Sequence, residues 1–204
     1  MSGIAEQFED VQQQEQSAHF GMWVFLATEV LFFGVLFFVY SVMRAQYPAD
    51  FAAASRHTDV ALGTINTAVL LTSSFTIALA VRASQMQAVR LTRRWLCVTA
   101  ALGAVFLALK GFEYYKDYSE HLIPAFRFSF DAAHARGAEV FFALYFATTG
   151  LHAVHLCIGI AVVLLIARNA ARNAHAVEVG GLYWHFVDIV WIFLYPLLYL
   201  VSRA

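Results

Sequence analysis

The sequence predicts an all-α integral membrane protein: a bundle of five transmembrane helices, with the N-terminus cytoplasmic and the C-terminus outside. Three observations point there. Of 204 residues, 61% are hydrophobic and only 13% are charged, against roughly 25% charged in ordinary soluble domains. Wrapping such a chain around one water-soluble core would leave large apolar patches exposed. The apolar residues gather in five runs, each near the roughly 20 residues that a helix needs to cross a bilayer. The runs are continuous, whereas a membrane barrel needs short alternating strands, so helices are favoured.

Residues 1–19 read as an acidic cytoplasmic segment. Glu6, Glu9, Asp10 and Glu15 stand there without a basic residue between Ser2 and Ser17. A secretory leader starts with positive charge, so the first span is expected to be retained. Residues 20–204 form the five-helix transmembrane domain.

The first span, about 20–43, holds Glu29, the only charge between Gly21 and Tyr40. It lies roughly 12 Å in from Gly21, inside a hydrocarbon layer about 30 Å thick. A carboxylate there is costly unless it is protonated, hydrogen-bonded or facing protein, and it marks a functional-site candidate. The second span, about 60–81, places Asn66, Thr67, Thr72, Ser73, Ser74 and Thr76 among apolar residues. Asn66 and Ser73 share a face, and hydroxyls in a membrane helix predict close packing with interhelical hydrogen bonds.

The third span, about 95–115, ends with Lys110 and Glu113 at a spacing that lets them pair. The expected setting is an anchoring pair near the interface, with the lysine snorkelling to water. The fourth, about 140–167, carries His152, His155 and Gly159 on one stripe and is long enough to tilt or overshoot the lipid. The fifth, about 182–201, sets Trp184, Asp188, Trp191 and Tyr195 on another. His185 and Asp188 are spaced to hydrogen-bond each other. The aromatic residues suit lipid or interface contacts, and Pro196 should kink the last turns. Cys97 and Cys157 read as small buried hydrophobes with no disulfide.

Orientation rests on the loops. Lys and Arg in the loops divide six to each side, but Arg82, Arg90, Arg93 and Arg94 crowd one short link without an acid, and Arg168 and Arg172 share that side. Such density places the link in the cytoplasm. The other side mixes signs and includes Arg127, Arg136 and Arg203. A net charge of −1 provides no basic stripe for nucleic acid. No nucleophile has a neighbouring base, and no phosphate loop or zinc signature occurs. Two other classes stay open on the residues alone: a haem carrier using the histidines, and a proton-coupled membrane carrier using Glu29.

Several stretches together resemble one family. They are Gly21-Met22 with Thr28-Glu29-Val30-Leu31-Phe32-Phe33, Ile65-Asn66-Thr67-Ala68-Val69-Leu70-Leu71, Phe112-Glu113-Tyr114-Tyr115, Thr149-Gly150-Leu151-His152-Ala153-Val154-His155, and Tyr183-Trp184-His185-Phe186-Val187-Asp188-Ile189-Val190-Trp191-Ile192-Phe193. The chain is similar in these to the cytochrome c oxidase subunit 3 family, subunit III of the haem–copper terminal oxidases, from about residue 19 to the end.

The resemblance implies an accessory subunit in a bacterial cytoplasmic membrane, without a cofactor of its own. Haem and copper would sit in partners: the catalytic subunit I and a copper-bearing or quinol-type subunit II, with a small subunit IV beside them. It implies support for proton uptake by subunit I and protection of it during turnover. The acid matching Glu29 is the family's carbodiimide-reactive carboxyl. The expected polar network is Glu29, Asn66, Glu113, His152, His155, His185 and Asp188, and bound phospholipid is held in the family's interhelical cleft. Many members have seven spans, and the lipid-holding cleft that uses the first two cannot be built from these five. Five-span members include quinol oxidase subunits and proteins associated with nitric oxide reductase. The stretch from Ile189 to Tyr199 reads more like the cytochrome c branch.

Overall fold

In a computed structural model of the chain, the described residues are 10–124, 128, 130, 131, 134–171 and 173–200. Glu6, Glu9, Arg127, Arg172 and Arg203 lie outside them. Within the described residues every regular element is helical. They are α1 (Val11–Gln46), α2 (Pro48–Ser55), α3 (Val60–Gln85), α4 (Val89–Ser119), α5 (Ala135–Leu165) and α6 (Ala174–Tyr195). Five of them are long and apolar enough to cross a membrane.

The helices run past the apolar segments, and polar side chains cap the heads of three of them. Asp10 accepts a hydrogen bond from the Gln13 N–H at 2.6 Å, so α1 starts well before Phe20. Asp59 accepts from the Ala61 and Leu62 N–H groups at the head of α3. Asn173 does the same for Ala176 at the head of α6. Each satisfies a donor that the helix itself leaves free. Two helices end in a wider π turn. One covers Ile166–Ala170, and the other runs from Pro196 to Leu200, where the proline removes an amide donor.

One element has no apolar span behind it. The short α2 starts on Pro48 and lies against α5, with Phe51 packed edge-on against Tyr40 and Phe141. His134 at the head of α5 holds Asp50 of α2 at 2.6 Å.

Helix α6 forms the centre. Its spanning window is 56% buried within the chain, against 11% for α1 at the edge. Helices α3 and α4 make a tight hairpin, α6 lies against α3 and α5, and α1 leans on α5 and α6. The outer faces present Phe20, Trp23, Leu31, Phe38, Phe75 and Phe112, as expected of a surface solvated by lipid. Cys97 and Cys157 are on this surface too. That corrects their placement in the interior: both are free thiols facing outward.

Candidate functional site

Glu29 is brought against α5 by the lean of α1. Its Oε2 lies 3.1 Å from His155 Nε2, with the two side chains 18% and 15% exposed. The His155 ring is fixed from behind, because Nδ1 stands 2.8 Å from the Leu151 carbonyl oxygen. A carbonyl only accepts, so Nδ1 carries a hydrogen. One proton therefore belongs between Nε2 and the carboxyl, on either the ring or the acid. Phe33 packs edge-on against the ring at 5.2 Å, and Tyr183 donates to the His155 carbonyl at 3.0 Å.

A second cluster is more deeply enclosed. Lys110 and Glu113, one turn apart on α4, are 2% and 1% exposed. Lys110 Nζ donates to Glu113 Oε2 at 3.0 Å, Tyr145 Oη at 2.8 Å and Tyr199 Oη at 2.6 Å. Both tyrosines donate to Glu113 Oε1, at 2.9 and 2.8 Å. All three ammonium hydrogens and both carboxylate oxygens are thus used, the condition under which a buried pair is tolerated. The aromatic rings of Tyr145 and Trp191 also face the ammonium. Asp117, one turn further along α4, is buried with Oδ2 unpartnered among the described residues.

The third polar region is the seam between α3 and α6. Trp184 Nε1 donates to Ser73 Oγ at 3.1 Å, and Trp191 Nε1 donates to Thr67 Oγ1 at 3.0 Å. Ser74 pairs with His185 Nδ1 and Thr64 with Tyr195. Thr76 joins Thr99 of α4. These are the interhelical hydrogen bonds expected of the second span. Asn66 is wholly buried, with both side-chain polar atoms unpartnered among the described residues.

Several sequence expectations need correction. Lys110 does not snorkel: its ammonium is buried and held by Glu113, Tyr145 and Tyr199. Trp184 and Trp191 are completely buried, so they make no lipid contact; their indole N–H groups need the α3 hydroxyls. Tyr195 is only half-buried and holds Thr64. His185 turns to Ser74 and not to Asp188. Ser74 also lies close to Asp188, but neither Asp188 oxygen has a partner at hydrogen-bond geometry among the described residues.

His152 and His155 address different places. His155 faces Glu29, while His152 is sealed between Phe106 and Trp191, with ring centroids 5.6 and 5.1 Å away. The residues expected to form one network are thus divided among separate regions.

Tyr145 and Tyr199 are the functional-site residues that sequence reading missed. A tyrosine in an apolar run needs a partner for its hydroxyl, and Lys110 was the group that could supply one.

Chemically, these clusters can hold protons and tie helices. Among the described residues no three His, Cys, Asp or Glu side chains converge as a metal site would require.

The family model described as "Cytochrome c oxidase subunit III" matches residues 7–203. Among similar proteins, cytochrome c oxidase subunit 3 of Thermostichus vulcanus is 33% identical over 90% of this chain and 87% of that protein. The cytochrome c oxidase subunit 3 of Alkalihalophilus pseudofirmus is 32% identical over 89% of this chain and 85% of that protein. A Staphylococcus haemolyticus protein described as "Probable quinol oxidase subunit 3" is 29% identical over 90% of this chain and 89% of that protein.

Proposed function

The chain belongs to the cytochrome c oxidase subunit III family, and from that premise we propose that it is an accessory subunit that steadies the catalytic subunit of a haem–copper oxidase and supports its proton uptake. One observation carries this reading. Glu29, Lys110, Glu113 and His185 each have a partner on another element of the bundle. Groups spent on joining helices serve to hold a shape, and the charge-bearing pairs among them can order a nearby proton path.

In this reading haem and copper belong to subunits I and II, a small subunit IV completes the complex, and phospholipid fills the gaps. The membrane is the bacterial cytoplasmic one. The N-terminus is inside, because the arginine-rich α3–α4 link is held on the cytoplasmic face.

The proposed electron donor is cytochrome c. Relatives described as cytochrome c oxidase subunits support it; the quinol oxidase relative supports the second reading, a quinol donor. Comparing oxygen uptake by the complex with reduced cytochrome c and with a quinol separates the two.

The role itself is tested by stripping this chain from the purified complex. The haem spectrum and copper content should persist, while activity decays faster during turnover. Loss of haem or copper along with the chain overturns the proposal.

A further inference from the structure

A cleft of about 1100 Å3 opens where the head of α4 meets the π turn after α5. Its polar rim is Arg90, Arg93, Arg94, Arg168 and Asn169, and no Asp or Glu lines it among the described residues. Arg93 is partly committed, since its Nε donates to the Ala167 carbonyl at 2.9 Å and locks the rim of α4 to the end of α5. Arg90, Arg94 and Arg168 are exposed and make no ion pair among the described residues. Below the arginines the wall turns apolar, with Cys97 and Val98 both on the outer surface of the bundle.

The head of α4 adds to this charge. No side chain caps it, and Val89 at its first position lines the cleft, so the positive end of the helix dipole lies beside the same opening.

We propose that this cleft binds an anionic phospholipid, with its phosphate among Arg90, Arg94 and Arg168 and an acyl chain along Cys97 and Val98. Guanidinium forks suit phosphate oxygens. A positive rim above an apolar wall, at the end of membrane helices, matches a headgroup with its tail. A soluble anion would use the rim and leave the wall bare. An acidic segment of a partner protein would likewise have no use for a lipid-facing wall. The site is built at the head of α4 and the turn that follows α5 and requires no further helix.

The two outward thiols supply the test. The oxidase complex is placed in nanodiscs of phosphatidylcholine, with or without phosphatidylglycerol, and alkylation of Cys97 and Cys157 by a membrane-soluble maleimide is followed. Retained lipid is counted by native mass spectrometry. Phosphatidylglycerol should slow labelling of Cys97 and leave Cys157, which does not line the cleft, unchanged. Arg94→Gln and Arg168→Gln should each weaken lipid retention about fivefold, the effect expected of one basic residue at a membrane surface. Arg82→Gln, an exposed arginine outside the cleft, should have no such effect.

Equal protection by pure phosphatidylcholine overturns the proposal, as does an equal loss in Arg82→Gln, which would mean diffuse surface charge. Displacement of the lipid by millimolar inorganic phosphate would assign the rim to a soluble anion. Protection of Cys97 that needs a partner subunit and no anionic lipid would make the cleft a subunit contact.

Discussion

Lys110 Nζ stands 3.0 Å from Glu113 Oε2 in the interior of the bundle, and two tyrosine hydroxyls complete both groups. Removing one partner leaves the other as an unbalanced buried charge. Lys110→Met or Glu113→Leu should therefore cost about 3–5 kcal/mol each. The double variant, which buries two apolar side chains and no charge, should cost clearly less than the two single losses added. Thermal unfolding of the wild type, both single variants and the double variant checks this as a cycle. Additive losses would mean that the pair is not coupled.

Much of the fold was legible because a bilayer imposes one dominant constraint. Twenty apolar residues in a row have few alternatives to a spanning helix, and five such runs were visible. What escaped was decided by neighbours. The inward turn of Trp184 and Trp191 depends on Ser73 and Thr67 lying opposite on α3, and no single helix shows its partner's register. The outward turn of Cys97 and Cys157 escaped for the same reason. The burial of Lys110 depends on Tyr145 and Tyr199, which are far apart in sequence. Helix α2 escaped because it is short and has no apolar run of spanning length.

Close helix packing leaves some glycines without room to grow. A Cβ on Gly103 would lie 2.8 Å from the Trp184 ring and 3.1 Å from Ile160, whereas one on Gly111 would meet nothing within 4 Å. Gly103→Ala should displace the buried indole, stretch its bond to Ser73 and cost about 1–3 kcal/mol. Gly111→Ala should be neutral or slightly stabilising. Melting temperatures of the two variants, with tryptophan fluorescence reporting the indole, give the contrast.

Acid should loosen the head of α3. Burial pushes the Asp59 carboxyl up, but the Leu62 and Ala61 N–H groups and the Lys116 ammonium outweigh it and hold the carboxyl below its usual range. A depressed carboxyl contributes stability above its unfolded value, near about pH 4. That contribution fades as the pH falls through the lower folded value. The Asp59 and Lys116 side chains are 30% and 43% exposed, so the effect should stay below ~1 kcal/mol. Asp59→Asn keeps a capping oxygen and should flatten the fall in melting temperature between neutral and strongly acid pH. An unchanged slope would assign the acid sensitivity to other groups.

Glu29 and His155 share one proton, because the Leu151 carbonyl fixes a hydrogen on Nδ1 and leaves Nε2 facing Oε2. Glutamine offers an N–H at the same place, so Glu29→Gln can donate to a neutral Nε2 and keep α1 tied to α5. That variant should assemble and reduce oxygen at a near-normal initial rate. Glu29→Ala leaves the imidazole without its partner and should cost about 1–3 kcal/mol, read as easier release of this chain from the complex in detergent. If the glutamine variant also fails to assemble, the contact needs the charge itself, and an imidazolium–carboxylate pair replaces the neutral one. If both variants behave as wild type, the link between α1 and α5 rests on the packing of Phe33 and its neighbours alone.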